Sequence, residues 1–183
     1  MKIKVGVMGS ADDTLPVGAD DSPREKAEAL GHAVAARGLV VLTGGTTGLS
    51  HIAGRAAHER GALHVGVSPA SDVREHVSKY KLPTAHCDFL IYTGFGLKGR
   101  NVVLVRSCDI VIFIHGSIGS LNELTIAYDE GRVIGCLVGT GGVADEASRL
   151  FQTFPKETRA RVLYDDEPSR LLDACLGALR REG

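Results

Sequence analysis

Short apolar runs that end in a glycine-rich turn and lead into a helical pattern constrain this chain most. Asp109 to Ile114 reads DIVIFI, a β-branched run without polar alternation, and HGSIGSLNE follows it directly. Leu39 to Leu42 leads into TGGTTG in the same way, and Val133 to Val138 leads into GTGG. A strand covered on both faces has no solvent side to mark with polar residues. Such strands belong to parallel sheets sandwiched between helices.

The intervening segments supply those helices. Ile3 to Met8 reads as the first strand and ends at Gly9-Ser10, before a polar loop, ADDTLPVGADD. Ser22-Pro23-Arg24-Glu25 then predicts a helix start, with a capping hydroxyl, a proline suited to the first turn and a returning carboxylate. Ala27, Leu30, Val34 and Ala35 form its apolar stripe and Gly38 its stop. Ile52, Ala53, Ala56 and Ala57 mark a second helix whose small side chains suit close packing on a sheet. Ala62 to Val67 is a further strand candidate, and Ser68 to Cys87 a long connection with one short helix. Asp88 to Tyr92 predicts a strand, TGFGLKGRN follows it, and Val102 to Val105 predicts a buried helical segment. After HGSIGSLNE, Leu121, Leu124 and Tyr128 have helical spacing. Helices around 144–151 and 168–180 flank an edge-strand candidate at Val162 to Tyr164. With no low-complexity linker, the expected architecture is one α/β domain over residues 1–183, three-layered and Rossmann-like, with a mainly parallel sheet.

Composition narrows the partners. With 21 basic and 22 acidic residues the net charge is −1, and aromatics make up only 5%. Neither a basic field nor a stacking platform for nucleic acid is evident. No apolar stretch approaches the ~20 residues that span a bilayer, and the amino terminus reads as a strand rather than a leader, so a cytoplasmic location is expected. Cys87, Cys108, Cys136 and Cys175 lie in or beside apolar runs, without a CxxC pair, and read as buried thiols. The seven histidines form no HExxH. His51 and His58 share a helical face but lack a clear third ligand, so no metal and no cofactor are expected.

The turns carry the chemistry. Thr43, Gly44, Gly45, Thr46 and Gly48 follow one strand. His115, Gly116, Ser117, Ile118, Gly119 and Ser120 follow another, and Gly9 and Ser10 end a third. Small residues let backbone N–H groups approach a phosphate, and the unpaired amides of a helix start bind its oxygens. The Walker A lysine is absent, as is a full GxGxxG, which argues against P-loop and hydride-transfer chemistry. Glu123 has two readings: the third residue of a capping box begun by Ser120, or a catalytic carboxylate at the helix entrance. Arg100, after Gly94, Gly96 and Gly99, is either a solvent-facing residue or a phosphate-binding guanidinium. Lys98 is a softer candidate, and His115 either a satisfied neutral imidazole or a catalytic one.

HGSIGSLNE and GRNVVLV together resemble the LOG and "lysine decarboxylase-like" family of Rossmann-related nucleotide-binding proteins. The family pattern PGGxGTxxE keeps Gly116, Gly119 and Glu123 here, with His115, Ser117 and Ser120 in place of proline, glycine and threonine. Arg100 takes the family's arginine position, and TGGTTGLS resembles its other phosphate-side turn. The arginine-asparagine pair Arg100-Asn101 and the later GTGG turn are similar to the branch containing molybdenum-cofactor carrier proteins. The resemblance implies a phosphorylated small-molecule ligand such as a nucleoside monophosphate, held by the turns with Arg100 and Asn101. It also implies a homodimer, and N-glycosidic hydrolysis of nucleoside 5′-monophosphates through Arg100 and Glu123. The alternative it implies is a non-catalytic carrier or sensor of molybdenum cofactor or another phosphorylated ligand.

Overall fold

A computed structural model describes residues 1–11 and 22–180. Most of the polar loop read between the first strand and first helix lies outside the described residues. Seven strands form one sheet in the order β4-β3-β2-β1-β5-β6-β7. They are β1 (Lys4–Gly9), β2 (Val40–Thr43), β3 (His64–Ser68), β4 (Phe89–Tyr92), β5 (Ile110–Ile114), β6 (Val133–Leu137) and β7 (Arg161–Asp165). Every pairing is parallel, and β1 bonds both β2 and β5, with Val5 opposite Val41 and Ile110. The chain thus runs outward from β1 through β4, then returns to the other side of β1. That reversal is a topological switch point, where ligands of such sheets bind beyond the strands' carboxyl ends.

Helices α1 (Ser22–Ala36), α2 (Leu49–Glu59), α3 (Val73–Ser78), α4 (Gly96–Arg106), α5 (Ile118–Asp129), α6 (Gly142–Thr153) and α7 (Pro168–Arg180) complete the described elements. On β5 the side chains alternate: Ile110, Ile112 and Ile114 pack with α1, α2 and α7, while Val111 and Phe113 pack with α4, α5 and α6. Both faces are therefore apolar, which is why DIVIFI shows no polar alternation. Three layers result. The small residues of α2 also serve a helix contact: a side chain at Gly31 of α1 would meet the Ala53 carbonyl oxygen at 2.3 Å.

Two sequence expectations change. The helix read at Val102 to Val105 starts earlier, because α4 begins at Gly96 and includes Gly99. The Ser120 capping box does not form. Helix α5 begins at Ile118, with Ser117 at the cap position, so Ser120 and Glu123 lie inside it. The edge position of β7 and the span of α7 match their sequence reading.

Candidate functional site

The carboxyl ends of β1, β2 and β5 open into one cavity of about 160 Å³. Gly9, Gly44, Thr46, Arg100, Asn101, Ser117, Gly119, Ser120 and Glu123 all line it, as does Lys98. Four turns and helix ends, far apart in sequence, thus share one hollow at the switch point. The sheet order causes this, because β1 lies between β2 and β5 and each strand delivers its following turn to the same edge.

Arg100 and Glu123 form the charged wall. Helices α4 and α5 pack side by side, and the Arg100 guanidinium donates through Nη1 to Glu123 Oε1 at 3.1 Å. Both residues are buried, at 5% and 7% exposure, so the solvent-facing reading of Arg100 is replaced by a buried ion pair. Burial lifts the Glu123 carboxyl to about 6, outweighing the opposing pull of Arg100 and Lys98. Burial likewise lowers Arg100, against the attraction of Glu123. Both shifts point the same way: desolvation costs this pair more than its mutual attraction returns. The Arg100 Nε is buried without a hydrogen-bond partner among the described residues. Gly44 explains how the guanidinium fits, since a side chain there would meet Nη1 at 2.6 Å and Cζ at 2.8 Å. A planar cation lies flat on the β2 turn because that turn has no side chain to hold it off.

Other predicted residues build the frame rather than line the cavity. Ser10 accepts from the Gly116 N–H through Oγ at 3.1 Å and lies 2.6 Å from His115 Nδ1. His115 adopts a left-handed backbone, φ 55°, and its N–H donates to Thr140 Oγ1 at 2.7 Å. Its carbonyl and that of Gly116 accept from Ala144 and Val143, so the GTGG region braces the turn before α5. Thr43 is 2.9 Å from His64 Nε2, and its Oγ1 accepts from the Gly45 N–H at 3.3 Å. Gly48, at φ 84°, is the cap residue before α2. Ile118 is 74% exposed and faces away from the frame.

Asn101 is buried and donates to Asn122 Oδ1 at 2.8 Å, a second tie between α4 and α5. The sequence reading missed Ala11, Ser50 and Leu97, which also line the cavity. Ser50 closes the TGGTTGLS segment already singled out, whereas no local pattern marks Ala11 or Leu97.

An uncharacterized protein of Archaeoglobus fulgidus is 29% identical over 155 residues, covering 85% of this chain and 91% of the relative. Among solved structures, the molybdenum cofactor binding protein of Rippkaea orientalis superposes with a TM-score of 0.78. It is 24% identical and covers 98% of each chain. The molybdenum-cofactor carrier protein of Chlamydomonas reinhardtii gives 0.77 at 23% identity over the whole of both chains. These structures share the fold. The SLOG cluster4 family model matches residues 2–172, and the chain belongs to that family.

Proposed function

We propose that this protein binds a phosphorylated small molecule at the switch point and holds it intact, as a carrier or sensor of molybdenum cofactor or another phosphorylated ligand. The observation that carries the reading is Arg100: a buried guanidinium whose Nε has no partner among the described residues, lying between the β2 turn and the start of α5. A phosphate there would meet the guanidinium and the first amides of α5, which have no acceptor within the helix. The cavity suits a phosphate-sized group, so the remainder of the ligand would extend over the rim beside exposed Leu97. The names of the cofactor-binding and carrier proteins that share this fold support the same class of ligand.

A second reading has its own support. Glu123 lines the same cavity, and a carboxyl lifted to about 6 is largely ionised at neutral pH. Such a group would stabilise a cationic sugar while Arg100 holds the phosphate, giving phosphoribohydrolase activity. In the resembling family pattern, the turn before α5 carries proline and glycine where this chain has His115 and Ser117. Those two substitutions favour holding over cleavage.

Native mass spectrometry of the purified protein is expected to show a retained phosphorylated ligand. Incubation with a panel of nucleoside 5′-monophosphates is expected to give binding without free base or ribose 5-phosphate. Base release that disappears in Glu123→Gln, with binding preserved, would reverse the order of the two readings. The family resemblance also implies a homodimer, for which an apolar groove between α5 and α6, lined by Leu121, Phe151 and Phe154, would provide burial. Light scattering of the purified chain tests that assembly.

A further inference from the structure

The switch-point cavity holds a charge conflict. Two cations, Lys98 and Arg100, line it, and so does one carboxylate, Glu123. The guanidinium that would receive a phosphate is the one that Glu123 already holds, through Nη1 at 3.1 Å. One flat face of that guanidinium is closed by Gly44, where an added Cβ would meet Nη1 at 2.6 Å and Nη2 at 2.8 Å. An arriving anion therefore meets Arg100 along its edge, where Nε has no partner among the described residues, and the carboxylate stands beside it. A ligand in a cavity of about 160 Å³ is a close neighbour of every group on its wall. Within about 4–6 Å, a like charge disfavours the ionised form of a carboxyl.

The surroundings decide which group gives way. Lys98 reaches the first turn of α5, since a Cβ on Gly119 would lie 3.7 Å from its Nζ, and its charge already acts on Glu123. The Cys108 thiol beyond α4 also feels the Glu123 charge, but burial raises it to about 12 and it stays neutral. His115, before α5, turns its ring to Ser10 Oγ at 2.6 Å and to Gly141, and is not among the lining residues. β1 and the turn after β2 face the cavity with uncharged groups. Arg100 keeps its proton, because burial lowers a guanidinium from a value far above neutrality. Glu123, lifted by burial to about 6, is the group that a nearby anion neutralises. Once protonated it no longer repels that anion and donates a hydrogen bond to it. The two lining cations then balance a doubly charged ligand, with no carboxylate set against it.

We propose that an oxyanion of the phosphate-monoester class takes up a proton from solvent onto Glu123 as it enters this cavity, and returns it on leaving. The protein thus loads its ligand at lower pH and releases it as pH rises. The sign follows from linkage: a ligand that raises a carboxyl's pKa binds more tightly as pH falls from the bound value towards the free one. Below the free value of about 6 the carboxyl is already neutral, and affinity levels off.

Sulfate is the probe, because it has the shape and double charge of a phosphate dianion but does not itself titrate near neutrality. Calorimetric titration of the full chain at constant ionic strength is expected to show binding about fivefold tighter, or more, at pH 5.5 than at pH 8. At pH 7, titrations in two buffers of different ionisation enthalpy should show net proton uptake by the unsubstituted protein, which answers the question even where a variant folds poorly. Glu123→Gln should bind sulfate with nearly the same affinity at both pH values, and more tightly than the parent at pH 8. The coupling rests on the phosphate reading of the cavity, and the two fail separately. Sulfate bound equally at both pH values without proton uptake, or a folded Glu123→Gln that keeps the parent's pH dependence, overturns the coupling and leaves the phosphate site standing. No binding of sulfate or inorganic phosphate at any pH removes the site itself, and the coupling with it.

Discussion

Arg100→Ala is expected to lower the unfolding free energy by about 3–5 kcal/mol at pH 8, the cost of removing one partner from a buried ion pair. At pH 5 the loss should be clearly smaller. The sign follows from Glu123. Burial raises its folded pKa from 4.5 to about 6, so the folded protein holds this proton more tightly than the unfolded chain. The stability linked to that group is complete below the ordinary carboxylate value and is lost as pH rises through about 6. Removing the guanidinium takes away the largest influence opposing burial and moves the carboxyl higher still. At pH 8 the variant must then keep an unpaired anion buried or spend free energy protonating it. At pH 5 the carboxyl is already neutral, and the cost falls to packing and one hydrogen bond. Urea denaturation at the two pH values measures the difference, and equal losses would mean that Glu123 is not the stranded charge. If the proposed site binds phosphate, inorganic phosphate should raise the melting temperature of the parent protein, and the same variant should lose that rise, since ligand binding to the native state stabilises it by mass action.

How far the sequence reveals this arrangement depends on the distance over which each interaction acts. The strands and their glycine turns are legible because burial on both faces leaves a local composition: DIVIFI is β5, and its turn does open on the cavity. Helix α7 is legible from its first residue, Pro168, because an amphipathic stripe and a starting proline are also local. Helix α4 is less so. Gly96 and Gly99 read as a loop on propensity, yet Arg100 and Asn101 are buried against α5 and hold those residues helical. Tertiary packing outweighs a penalty of about 1 kcal/mol per glycine.

The start of α5 shows a different limit. Ser117 and Ser120 both suit a cap, and the S-x-x-E pattern selects the wrong one because Glu123 is drawn to Arg100 instead of to the helix end. That pairing spans 23 residues, and that of Asn101 with Asn122 spans 21. Neither separation has a periodicity, so only the path of the chain through the sheet brings the partners together. The turn residues were identifiable as a group, but their division into a lining and a supporting set was not. Ser10 and His115 look as suitable for phosphate as Ser117 and Gly119 do, until Ser10 is seen bound to the Gly116 amide.

Gly48→Ala is expected to destabilise the fold by about 3 kcal/mol or more, combining backbone strain with overpacking. Gly48 caps the start of α2 at φ 84° and ψ −153°, a region that only glycine occupies without strain. A Cβ there would lie 2.1 Å from the Ser10 carbonyl oxygen and 2.6 Å from the Ala11 Cα, both backbone atoms that cannot rotate aside. The end of β1 would have to retreat, stretching the 2.9 Å bond from the Leu49 N–H to that same carbonyl. Ser10 would move with it, and Ser10 Oγ holds the Gly116 amide on the opposite side of the cavity. One methyl group should therefore disturb both turns of the proposed phosphate site, and any protection by phosphate should fall together with stability. Gly61→Ala separates the two causes of the loss. Gly61 has a nearly equal φ of 83° but nothing within 4 Å of its added Cβ. Its substitution should cost only the left-handed penalty of about 1–2 kcal/mol and leave phosphate binding intact. Equal losses in the two variants, measured by urea denaturation, would show that the crossing of Gly48 over Ser10 is loose enough to accept a side chain, and that the two turns are not held in register by this contact.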